Sequence, residues 1–313
     1  MSDYPVEELL RGVVAGIVAV GLVLAVTTAG RQRGSSSRLP PAIGLPITVA
    51  ALAAIGVSRA PTASVAVGLT GITAAAALAA GWPGGRRVLA AAGLLLTVPF
   101  AWLLAVDASS VVWVRAVVTG AATVGPIATA RTDVDLGPTG LTPALYAVST
   151  AGVFAAVPNT EEAAALLGAS VPGALAGWPL GRARLGRVGA AGATALLMWV
   201  TADGSLGREP AVVGGVACLG LLATLPAGRW LATYVRLRRW APRALMIGGP
   251  LPTLVVHAAV VGVASRVAGT SSELRVAVPV ATATAVFALL VSTVLAVHRT
   301  DEPLDRPPQT LLE

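Results

Sequence analysis

The 313-residue chain is 55% hydrophobic and 12% charged, and its 22 basic residues, all arginine, give a formal net charge of +7. A soluble domain carries about 25% charged residues and could not cover its surface with so few polar groups. The composition therefore excludes a soluble domain, and the lack of lysine excludes Schiff-base and Walker-type chemistry. The arginines flank apolar runs, which favours membrane anchoring and predicts no nucleic-acid partner.

Apolar runs recur along the whole chain, and most reach the roughly 17–25 residues that a helix needs to cross a bilayer core of about 30 Å. They predict an all-α, polytopic integral membrane helical bundle with about eleven transmembrane helices, with ten or twelve crossings as the alternatives. The predicted spans cover residues 12–30, 41–58, 63–82, 88–106, 108–130, 140–158, 163–180, 188–203, 210–228, 244–265 and 276–297.

The arginines are sorted between alternate connections. Sixteen of them lie after odd-numbered spans or in the C-terminal tail, and five lie on the opposite side. Because arginine is retained in the cytoplasm during insertion, this pattern predicts an inner (plasma) membrane protein with its N-terminus outside and its C-terminus inside. The seven tryptophans fall near span ends, where an indole ring prefers the headgroup level.

A short motif occurs twice, as AAGWPGGRR at 79–87 and LAGWPLGRAR at 175–184. Tryptophan marks the interface, proline ends the helix, glycine permits the turn and arginine holds the turn at the cytoplasmic side. We interpret the motif as a hairpin stop. The spacing also suggests duplicated four-helix units over about 1–106 and 107–203, inside a single transmembrane domain spanning 1–300.

Arg115 is the charge that falls inside a predicted span. A charge there marks a ligand or ion pathway by default. The alternative is anchoring, because its long side chain can reach the outer interface and Asp107, two helical turns earlier, can serve as its partner.

The stretch VPNTEEAAALL at 157–167 is the most specific polar feature of the sequence. Asn159 or Thr160 is predicted to cap the seventh span, with Glu161 and Glu162 in its first turn, where the helix dipole favours acids. The alternative is an outer vestibule that binds a cation. The two carboxylates point about 100° apart on a helix, so they do not form a converging catalytic pair.

His257 lies in the middle of the tenth predicted span. It is predicted to make an interhelical hydrogen bond, and the alternative is a proton relay or a ligand pathway. Pro250 and Pro252, with Gly248 and Gly249, are predicted to interrupt this span, which fits either a solute path or a simple kink.

The longest polar connection, 229–243, is predicted to lie on the inner leaflet and to contact anionic lipid or, alternatively, a cytoplasmic partner protein. Its arginines are Arg229, Arg236, Arg238, Arg239 and Arg243. The tail, 301–313, is polar and proline-rich and is predicted to be disordered. Cys218 is a lone thiol in an apolar run, and no metal-ligand spacing or cofactor motif is found.

These features favour a role other than catalysis. The first hypothesis is a transporter or permease-like protein for a small or lipidic solute. The alternative is a non-catalytic scaffold subunit of a larger membrane complex. An enzyme of lipid-linked glycosyl transfer ranks last. That class needs acidic residues on a sizeable external loop, and the predicted external connections of this chain are very short.

Overall fold

A computed structural model describes residues 5–32, 40–58, 61–81, 87–108, 111–136, 139–157, 160–178, 180–204, 212–213, 215–217, 250–270, 283–284 and 286–290. Within these residues the secondary-structure elements are all helices, and the one isolated β-bridge joins Ala42 to Arg184. The prediction of an all-helical protein is therefore confirmed for the described part of the chain. The helices are α1 (Val6–Gln32), α2 (Gly44–Ser58), α3 (Ala63–Gly81), α4 (Arg87–Ala108), α5 (Val112–Leu136), α6 (Leu141–Ala156), α7 (Glu161–Gly177), α8 (Arg187–Gly204) and α9 (Pro250–Thr270).

These nine helices coincide with the first eight predicted spans and the tenth. Three of them contain stretches long and apolar enough to cross a membrane, namely Val6–Gly30, Ala63–Ala80 and Val112–Val134. Four more helices contain shorter apolar stretches. The described residues therefore support a membrane protein with several apolar helices, which is a coarser statement than eleven crossings.

The tenth predicted span contains α9, and Pro250 and Pro252 belong to this helix. The predicted interruption of the span stays a prediction. Gly248 and Gly249 lie outside the described residues.

Successive helices of the first eight run in opposite directions. Gly68 of α3 lies against Leu104 of α4, and Gly93 of α4 lies against Ala79, so these two helices are antiparallel. The first and seventh helices are parallel, because Gly12 meets Ala165 and Gly16 meets Ala169. Small residues at this crossing let the two backbones approach closely.

The even-numbered helices share the opposite direction. Gly44 of α2 lies against Gly189 of α8, and Thr48 lies near Gly192, so α2 and α8 are parallel. Helix α9 also runs parallel to α6. Leu254 of α9 packs near the start of α6, and the following turn of α9 reaches Ser149, farther along α6.

The alternating directions give the bundle two ends. The glutamate end, where α1 and α7 begin, carries Glu7, Glu8, Glu161 and Glu162. The arginine end, where α5 and α7 finish and α8 begins, carries Arg131, Arg182, Arg184 and Arg187.

The core centres on α8. Every residue from 189 to 203 is buried, and six of the other helices pack against this one. Trp199 therefore departs from the predicted interfacial position, since it is only 2% exposed. Its indole N–H has no hydrogen-bond partner in the described part of the chain. Trp199 lies near the end of α8, and its ring packs against protein there.

Candidate functional site

A buried carboxylate joins three parts of the chain at the arginine end. Asp133, in the last turn of α5, is fully buried, and its Oδ1 accepts hydrogen bonds from the Thr142 hydroxyl at 2.7 Å and the Leu185 N–H at 3.1 Å. Its Oδ2 has no hydrogen-bond partner among the described residues and lies 3.8 Å from an Arg184 guanidinium nitrogen. One side chain thus ties the end of α5 to the start of α6 and to the segment before α8.

The segment before α8 also pairs with the chain before α2. Arg184 donates its backbone N–H to the Pro41 carbonyl at 2.9 Å, and its own carbonyl accepts from the Ile43 N–H at 2.8 Å. Its Nε donates to the Pro40 carbonyl at 3.2 Å. Prolines suit the acceptor positions because they have no N–H to leave unpaired. We call the set Pro40, Pro41, Asp133, Thr142, Arg184 and Leu185 the Asp133 junction.

The second GWP motif therefore does more than stop a helix. The chain from Leu180 to Gly186 follows an irregular path and pairs with residues of another connection. The interpretation as a simple hairpin stop is incomplete, because Arg184, the second arginine of this stretch, binds residues of the junction. The first copy, around Trp82, lies outside the described residues.

One feature of the sequence points to the junction. Asp133 is an acidic residue in the last turn of a helix, where the dipole disfavours negative charge. An acid in such a position needs a specific partner. Which donors supply that partner depends on contacts with Leu185, 52 residues farther along the chain, and spacing alone does not reveal them.

A second polar cluster lies in the interior, along one face of α6. The Thr150 hydroxyl is 2.9 Å from the Ser170 hydroxyl of α7. The Tyr146 hydroxyl donates to the Ala193 carbonyl of α8 at 2.9 Å. Ser149, between them, faces α9. We call Tyr146, Ser149, Thr150, Ser170 and His257 the hydroxyl cluster, and all five side chains are buried.

His257 joins α9 to this cluster. Its Nε2 lies 3.1 Å from the Ser149 Oγ and 3.2 Å from the Leu145 carbonyl oxygen. A carbonyl only accepts, so the contact with Leu145 assigns the proton to Nε2. The expected interhelical hydrogen bond is present. The chemistry of the cluster is that of neutral donors and acceptors that bind helices together.

The other predicted site residues collect at the glutamate end. Arg115 is half-buried in the first turn of α5, where its backbone N–H bonds to the Val111 carbonyl at 3.0 Å. Glu161 is exposed and Glu162 is half-buried, both in the first turn of α7. Asp107 lies in the last turn of α4, and its side chain is outside the described ones. His257 is separate from this group, in the interior.

The predicted cap of α7 is found at Thr160, but without the expected side-chain bond. Thr160 occupies the capping position, yet its hydroxyl donates to the Val157 carbonyl at 3.4 Å and makes no bond to the amides of the helix. The hydroxyl points back to the preceding turn, which removes it as an acceptor for the first helical N–H groups.

Some predictions concern residues that the structure does not describe. Among them are Cys218, Asn159 and the connection 229–243 with Arg229, Arg236, Arg238, Arg239 and Arg243. Among the described residues, no three His, Cys, Asp or Glu side chains come together as a metal site would require.

Comparison of the sequence with known protein families and with curated proteins gives no match. The interpretation of the two polar clusters therefore rests on their own geometry.

Proposed function

We propose that the chain crosses the inner membrane about eleven times, with the glutamate end outside and the arginine end in the cytoplasm. The alternating directions of α1 to α8 support this arrangement, because successive crossings must reverse direction. The parallel course of α8 and α9 supports it too. The chain leaves α8 at the glutamate end and must return before α9 begins, which fits the predicted ninth crossing at 210–228.

We further propose that this helical bundle is a non-catalytic scaffold, a subunit of a larger complex that binds partner helices. The observation that carries this proposal is the complete burial of residues 189–203 of α8. Six of the other described helices pack against α8. A buried helix at the centre favours a structural subunit over a solute path along that helix.

The outer surface supports the same proposal. The side of α1 away from α7 is apolar and exposed, with Val14, Ile17, Val18 and Leu22 each more than half exposed. In a bilayer, van der Waals packing and close approach drive helix association. An apolar helix at the periphery of a rigid body can therefore meet lipid or a partner helix.

Cross-linking and gentle purification of the full chain from its native membrane test the scaffold proposal. We expect a partner protein in fixed proportion to the chain, cross-linked to cysteines placed on the outer face of α1, such as Val18→Cys in a Cys218→Ser background. Cysteines at buried α8 positions are the control and should not cross-link. A chain that purifies as a single species from every α1 variant would contradict a scaffold role.

Transport of a small or lipidic solute is the second candidate, and the hydroxyl cluster favours it. His257 is an ionisable side chain between membrane helices, which is the usual mark of a pathway. If the cluster lines a solute path, His257→Phe abolishes solute flux in reconstituted vesicles while the protein remains folded. If the cluster only binds helices, His257→Phe lowers stability modestly and leaves partner binding intact.

A further inference from the structure

We draw no further inference here: the strongest candidate, the buried side-chain cluster around Asp133 and Arg184 at the arginine end, belongs to the site already described, and its contacts with Thr142 and Leu185 join parts of the chain without pointing to a ligand.

Discussion

The two ends of the bundle handle charge in opposite ways. At the glutamate end, Arg11 pairs with Glu7 and Glu8 on the surface of one helix. At the arginine end, one buried carboxylate binds a hydroxyl at the start of α6 and, in the segment before α8, a backbone amide and a guanidinium. Local pairs adjust the charge of a helix, whereas the buried acid fixes how helices are joined. We therefore expect the arginine end to control the stability of the fold.

Removal of the buried Asp133 carboxylate is expected to lower the free energy of unfolding more than any other change considered. Asp133→Ala leaves the Leu185 N–H and the Thr142 hydroxyl without their carboxylate acceptor and should lower the free energy of unfolding by about 2–4 kcal/mol. Asp133→Asn keeps an acceptor oxygen and should cost less. Denaturation in mixed micelles measures both. If Asp133→Ala and Glu8→Gln, at the glutamate end, lowered the free energy of unfolding equally, the proposed difference between the two ends would be contradicted.

A smaller loss of unfolding free energy is expected from the turn between α5 and α6, which packs against the end of α7 at the arginine end. Gly140 has φ at 71°, and a Cβ there would lie 2.5 Å from the Gly177 carbonyl oxygen. Gly140→Ala should therefore cost about 2–3 kcal/mol, from both backbone conformation and overlap. Gly181 shares the positive φ but has open space around it, so Gly181→Ala should cost about 1 kcal/mol. If the two variants have the same free energy of unfolding, close packing at Gly140 does not stabilise the arginine end.

The smallest change in the free energy of unfolding is expected at the glutamate end. Glu7 is largely exposed, so Glu7→Gln should change the free energy of unfolding by about 0.5 kcal/mol or less. The same denaturation series measures it, and added salt should abolish the difference from wild type. A loss as large as that of Asp133→Asn would remove the distinction between the two ends.

The helices were predictable from the sequence because long apolar runs have few other ways to satisfy their backbone. The first eight runs and the tenth each contain a described helix. Burial was not predictable in the same way. The stretch Val6–Gly30 is the most apolar of the long ones and also the least buried, whereas α8 is central. In a membrane, apolarity does not distinguish lipid from protein, and small residues such as Gly189 and Ala193 mark the packed faces.

The site was predictable only where a single residue carried the signal. His257 stood out as an ionisable side chain in an apolar run, and it lies between two helices as expected. The Asp133 junction did not stand out, because its partners are close in space and far apart in the chain. Thr160 shows the limit of local rules, since it occupies the capping position but its hydroxyl bonds to the preceding turn.

Cysteine accessibility tests the central claim most directly, namely that the two ends lie on opposite sides of the membrane. In a Cys218→Ser background, Glu161→Cys marks the glutamate end and Arg182→Cys marks the arginine end. With a membrane-impermeant maleimide on intact cells, we predict that Glu161→Cys reacts at once and that Arg182→Cys reacts only after permeabilisation. Reaction of both from the same side, or the reverse order, would contradict the account.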